Sequence, residues 1–155
     1  MQICPPYRVR RTYIQTLCAA AEVVFPLLCP VREADWIPGW DPLLVISHSG
    51  VAEVGCVFLT LDGTREAIWT VTEHDARFGR VAFVKVTPGL VVTRIHIELS
   101  AEEQGCSASI TYEHTALGPE GEAFVGAFTE ARFQGFMALW EARLNHYLET
   151  GGCLT

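Results

Sequence analysis

The sequence predicts an α+β fold in which a curved antiparallel sheet of seven strands wraps around one long C-terminal helix. Three observations predict it. Residues 119–149 carry a broad apolar stripe: Phe124, Phe128, Phe133, Phe136, Met137, Trp140, Leu144, Tyr147 and Leu148. Between Trp40 and Leu117 stand six runs rich in Val, Ile, Thr and aromatic residues, separated by turn signals. Ahead of them lie one strand-like run and a short helical region.

Taken in order, residues 1–6 read as a tail. Residues 7–15 alternate imperfectly, with Val9, Arg11 and Tyr13 on one side and Arg8, Arg10, Thr12 and Ile14 on the other. Their charges place this first strand near a sheet edge. Residues 18–28 have helical character, with Thr16 as the candidate N-cap. Pro26 interrupts that helix and Pro30 closes it. Residues 31–36 form a second short helical turn, which Pro38-Gly39 stops. The six strands are then 43–48, 56–61, 66–74, 80–87, 90–99 and 106–117. Their turns are Ser49-Gly50, Asp62-Gly63, 75–79, Pro88-Gly89 and 102–105. Such short connections favour antiparallel pairing.

The last two strands alternate best. Val91, Thr93, Ile95, Ile97 and Leu99 oppose Val92, Arg94, His96, Glu98 and Ser100. Cys106, Ala108, Ile110, Tyr112 and His114 oppose a polar set. The apolar face needs a partner, and the C-terminal helix is the only long one available. It begins at Pro119-Glu120, which suit a first turn, and ends at Gly151-Gly152. Gly126 and Gly135 inside it signal either close packing on the sheet or room left for a ligand. No linker or repeat appears, so residues 1–155 form one domain.

Composition narrows the function. Hydrophobic residues make up 50% of the 155, and charged residues 19% against a usual ~25%. Such an apolar excess fills either a large interior with a cavity or a buried homodimer surface. The net charge is −7, and Lys85 is the only lysine. Nucleic-acid binding is therefore not expected, because phosphate contact needs a concentrated positive face. No run approaches the ~18 apolar residues of a membrane span. No signal peptide is read at the N-terminus. The six cysteines are scattered without C-x-x-C spacing, which implies thiols in a reducing, cytoplasmic setting.

The order strand, two short helices, six strands, long helix resembles the helix-grip superfamily called START-like or SRPBCC. That superfamily includes birch-pollen-allergen-type proteins, lipid-transfer START domains and polyketide aromatase/cyclases. The resemblance spans the chain. It rests on Val24-Phe25 after the first strand, Trp36-Ile37-Pro38-Gly39-Trp40, Gly55-Cys56-Val57-Phe58, Trp69 with Asp75, and Thr111-Tyr112-Glu113-His114-Thr115. It implies a cavity between sheet and helix for a small apolar molecule: a lipid, polyketide or aromatic metabolite. Its members share the cavity and not a reaction.

Trp36, Trp40, Phe58, Trp69, Ile95, Ile110, Tyr112, His114, Phe128, Phe136 and Trp140 are the candidate ligand-binding residues. Core packing is the competing reading for every one of them. Tyr112 and His114, in phase and pointing inward, are the candidate catalytic pair of a cyclase or dehydratase. For His114 the alternative is a satisfied core histidine. His96, His146 and His48 read as solvated, and His74 stays ambiguous beside Asp75. Glu33, Asp35 and Asp41 cluster near the expected cavity mouth. A carboxylate there binds a polar head group or acts as a base if buried; the alternative is ordinary loop charge. No two histidines have ligand spacing, so no metal is expected. No Gly-rich phosphate loop or nucleophile motif occurs, and no cofactor is expected.

Overall fold

The computed structural model describes residues 1–155. Seven strands form one antiparallel sheet: β1 (Arg8–Leu17), β2 (Leu44–Ile46), β3 (Val57–Asp62), β4 (Arg65–Asp75), β5 (Arg80–Thr87), β6 (Val91–Ala101) and β7 (Cys106–Ala116). Their order is β1-β7-β6-β5-β4-β3-β2, so β1 and β2 are the two edges. Glycines with positive φ make the hairpin turns, among them Gly63 at +64° and Gly89 at +74°. No helix is long and apolar enough to cross a membrane.

Between β1 and β2 the chain makes α1 (Ala21–Val24), a 3₁₀ turn over Phe25–Leu27 and another over Arg32–Asp35. Pro26 ends α-helical bonding after one turn, as its missing N–H requires. Thr16 is not the cap, because β1 runs on to Leu17 and Ala20 takes the N-cap position.

The expected single helix over 119–149 is two: α2 (Pro119–Ala127) and α3 (Glu130–Thr150). Phe128 leaves the helical region at φ −83°, ψ 66°, and Thr129 is extended. The Thr129 hydroxyl accepts from the Arg132 N–H at 3.2 Å and so starts a new helix. The Arg11 guanidinium pins the corner, donating to the Phe128 carbonyl at 2.8 Å and to Glu130 at 2.9 Å. Gly135 has open space around it, and nothing in the structure requires glycine there. A Cβ at Gly126 would meet only the Tyr7 hydroxyl, at 3.6 Å. Neither glycine is pressed onto the sheet.

Gly121 differs. A Cβ there would stand 2.0 Å from the Leu90 carbonyl oxygen, where α2 crosses the β5–β6 turn. Gly121→Ala is expected to destabilise the protein by roughly 1–3 kcal/mol through overpacking. A urea titration with an unchanged midpoint would refute this account of the α2 contact.

α3 is laced along β1. Gln15 donates to the Met137 carbonyl at 3.0 Å, the Thr16 N–H to Glu141 at 2.7 Å, and the Cys18 N–H to the Asn145 side chain at 2.9 Å. Phe133, Met137, Trp140 and Leu144 form its buried face, joining Leu17, Ala108 and Ile110 of the sheet in the core. Because α3 lies over the β1–β7 side, the concave surface of β3 to β6 is not filled by it.

On the convex surface, register aligns Leu44, Leu59, Ile68, Val86 and Val92 in one row across five strands. Leu44 and Ile68 at its β2 end are exposed.

Candidate functional site

The uncovered concave surface encloses a cavity of about 570 Å³. Pleating decides what lines it: alternate residues of each strand face inward. Phe58, Phe83, Val91, Thr93, Ile95 and His114 are buried lining residues and make its floor. Trp40, Trp69, Tyr112, Phe128 and Trp140 build the walls. Phe124 and Phe136, exposed on α2 and α3, stand at its rim with Arg65, Asp62, Arg132 and Arg143. The aromatic walls brace one another. Phe58 and Trp69 stack at 5.1 Å, and Trp40 meets both edge-on at 6.5 and 6.3 Å. The Trp40 indole N–H is held by the Pro30 carbonyl at 2.7 Å, and that of Trp69 by Thr60 at 2.9 Å.

One row of the floor is polar. Register sets Trp69, Lys85, Thr93 and His114 side by side across β4 to β7. Lys85 pairs with Asp62, and its ammonium stands 4.8 Å from the Trp69 ring centroid. Thr93 Oγ1 and His114 Nδ1 are 2.7 Å apart. His114 is 5% exposed, and its Nε2 has no partner within the protein. A hydroxyl that donates to Nδ1 puts the ring proton on Nε2 and leaves one buried hydrogen unpaired. The opposite tautomer leaves both the hydroxyl hydrogen and a nitrogen lone pair unpaired, so the first is favoured. Burial, with a smaller push from Lys85, lowers the His114 pKa to about 4, so the ring is neutral near pH 7. Phe128 and Phe124 stand perpendicular to it at 4.3 and 5.4 Å.

Glu33 is the second polar feature. The 3₁₀ turn Arg32–Asp35 carries it to the cavity wall. Its neighbour Asp35 is engaged by Arg32 at 2.7 Å, and Asp41 is exposed and does not line the cavity. Desolvation alone pushes the Glu33 carboxyl up to about 8. The residue is half-buried by surface and lines the cavity. Tyr112 has the same character. Desolvation raises its hydroxyl above the ordinary phenol range, and the charge of Glu33 adds to the shift.

Of the residues predicted from sequence, Trp40, Phe58, Trp69, Ile95, Tyr112, His114, Phe128, Phe136 and Trp140 come together around this space. Trp36 and Ile110 do not line it. Both are fully buried in the core, where the Trp36 indole N–H donates to the Leu27 carbonyl at 3.2 Å and its ring meets Trp140 at 5.0 Å. Tyr112 and His114 are adjacent, with ring centroids 6.0 Å apart. His74 lies outside the cavity against Phe25, and Asp75 caps the turn that follows it. Sequence reasoning passed over Phe83, Lys85 and Thr93. The signal was present: Lys85 falls in phase with Val81 and Phe83, a lone cation on the inward side of a strand. The cavity gathers no metal-binding group of three His, Cys, Asp or Glu side chains.

No protein-family model matches the sequence, and no curated protein resembles it significantly. Solved structures do resemble it in shape. Norcoclaurine synthase from Thalictrum flavum superposes with a TM-score of 0.69 at 14% identity, covering 94% of this chain and 88% of that one. A Staphylococcus aureus protein of unknown function gives 0.70 at 12% identity, covering 94% and 96%. DynU16, from the dynemicin biosynthetic locus, gives 0.56 at 18% identity; the match covers 96% of this chain but 49% of that one. Such low identities speak to fold and not to activity. Sheet order, the short helices after β1 and the long C-terminal helix agree with these likenesses, and the chain has the START-like (SRPBCC) helix-grip fold.

Proposed function

We infer that this protein binds a small, mainly apolar molecule, a lipid, polyketide or aromatic metabolite, in the cavity between β3–β6 and the α2–α3 pair. The observation that carries this reading is the cavity itself. Its roughly 570 Å³ lies within the range of about 300–1,000 Å³ typical of small-molecule sites. Aromatic walls with a few polar groups at fixed positions are the usual make-up of such a site. Norcoclaurine synthase, which shares the fold, has been solved with dopamine and hydroxybenzaldehyde, and that likeness supports an aromatic occupant here. The scattered, unpaired cysteines support a reducing, cytoplasmic setting.

Native mass spectrometry of freshly purified protein, followed by solvent extraction, tests the reading. A discrete added mass of small-molecule size is the expected result. A bare protein mass, together with no thermal shift from a panel of lipids, polyketides and aromatic metabolites, would remove it.

A second reading is enzymatic, with Tyr112 and His114 positioning and protonating a polyketide-like substrate. Their adjacency in the cavity favours it. Turnover unchanged in Tyr112→Phe and His114→Ala would exclude it. The exposed end of the convex apolar row favours a third, a homodimer through β2, which light scattering at high concentration tests.

A further inference from the structure

We propose that the cavity takes a ligand with a cationic head, an organic ammonium group on an apolar body, and that Glu33 is its counter-ion. The inference rests on the cavity reading above and names the class of ligand. Two observations carry it.

The first is that Glu33 is the unengaged acid of the cavity. Asp62 is taken by Lys85 and Glu120 by Arg65, and Asp35 on its own turn is taken by Arg32. The Glu33 carboxyl faces the cavity and makes no hydrogen bond or ion pair in the protein; desolvation is the only influence on it. An ionised carboxylate offers acceptor sites alone, so it needs donors or a positive charge that the chain does not provide. No group around it donates to it or pairs with it. Tyr112 and His114 on β7 are uncharged near pH 7. Lys85 on β5 and Arg65 on β4 are already paired. Arg132 and Arg143 on α3 stand at the rim and form no ion pair with it.

The second is the aromatic lining. A ring face attracts a cation within about 6 Å of its centroid, most strongly when the site is desolvated. This cavity already holds one alkylammonium that way, Lys85 over Trp69. Trp40, Tyr112, Phe136 and Trp140 offer further aromatic surface to a second. An anion would be opposed by Glu33 once it ionises, and a neutral apolar molecule would leave its carboxyl without a partner.

Desolvation keeps the carboxyl protonated at neutral pH, and a bound ammonium supplies the charge that lets it ionise. Binding therefore releases a proton from Glu33. The sign follows: affinity for a permanent cation rises with pH until Glu33 is ionised in the free protein, then levels off. His114 titrates near 4 and stays outside that window.

The test uses benzyltrimethylammonium and neopentylbenzene, which share a shape and differ by one charge. The quaternary nitrogen does not titrate, so any pH dependence belongs to the protein. The cation is expected to gain affinity by roughly tenfold per pH unit below about 8 and to plateau above, because only the ionised fraction binds it. Neopentylbenzene should show no such trend. Calorimetry in buffers of different ionisation enthalpy should register one proton released per cation bound near pH 7. Glu33→Gln should abolish the preference for the cation and its pH dependence, while neopentylbenzene still binds. Equal, pH-independent affinities for the two probes, or a cation preference that survives Glu33→Gln, would overturn the inference and leave the cavity reading standing. Failure of both probes to bind at every pH would overturn both.

Discussion

Truncating Trp36 to Ala is expected to cost about 3–5 kcal/mol of stability, the range for removing a large buried aromatic side chain. Trp36 is 0% exposed and belongs to the main core. Its ring contacts Trp140, and its indole N–H is satisfied by the Leu27 carbonyl. The vacated volume lies where α3, the 3₁₀ turns and the sheet meet, and those elements are fixed by bonds elsewhere, so the hole cannot collapse. Trp40→Ala, four residues on, should behave differently. Trp40 already borders the cavity and is only half-buried, so its loss enlarges an existing space. The expected pattern is a large stability loss for Trp36→Ala, and a smaller one with weakened ligand binding for Trp40→Ala. Urea titrations of both variants, each with a bound probe's affinity, check it; equal stability losses would deny the division between core and cavity.

Replacing Glu33 by Gln is expected to stabilise the protein, and more so as pH rises. In the unfolded chain a glutamate ionises near its ordinary pKa, about 4.3. In the fold it holds its proton to about 8. Between those values the native state binds more protons than the unfolded one, so this group makes stability fall as pH rises. At about 1.4 kcal/mol per unit the upper limit at pH 8 is near 5 kcal/mol, and the partial exposure of the residue reduces the expected gain to roughly 2–3 kcal/mol. His114 acts in the opposite direction. Its folded pKa lies below the ordinary value of 6.5, so the unfolded state takes up protons first on acidification. That contribution is lost as pH falls from about 6.5 to about 4. Between about pH 4.3 and 6.5 the two slopes oppose and largely cancel, and above about 6.5 wild-type stability should fall with pH until Glu33 ionises near 8; Glu33→Gln should remove that alkaline fall and uncover the His114 slope below about 6.5. Denaturation midpoints at several pH values measure both slopes; an alkaline slope identical in the two proteins would refute the assignment to Glu33.

The sheet was legible in the sequence because hairpins announce themselves locally. Asp62-Gly63 and Pro88-Gly89 fall where the backbone turns, and the 80–87 strand matches β5 at both ends. The break between α2 and α3 was not legible. Neither Phe128 nor Thr129 is a breaker, and the Thr129 cap lacks the Glu or Gln three residues later that would have marked a capping box. The division of the aromatics was hidden for a different reason. Trp36 and Trp40 have the same composition and sit on the same segment, and only the path of α3 along β1 decides which is covered. Glu33 was one of three acids near the expected mouth. What separates it from Asp35 is Arg32, which takes one carboxylate and leaves the other.

The lacing of α3 along β1 also bears on how the chain is made. β1 pairs with β7, and Arg8 and Thr115 touch although 107 residues separate them. A ribosome delivers β1 early and its partners last. Until β7 and then α3 emerge, β1 has no neighbour on either side, while the β3–β6 hairpins can already zip locally. Non-local closure of this kind slows folding and leaves an unpaired strand exposed meanwhile. The three positive charges of Arg8, Arg10 and Arg11, all on that waiting segment, repel copies of it from one another. They serve the nascent chain as a safeguard against premature self-association, apart from anything they do in the finished fold.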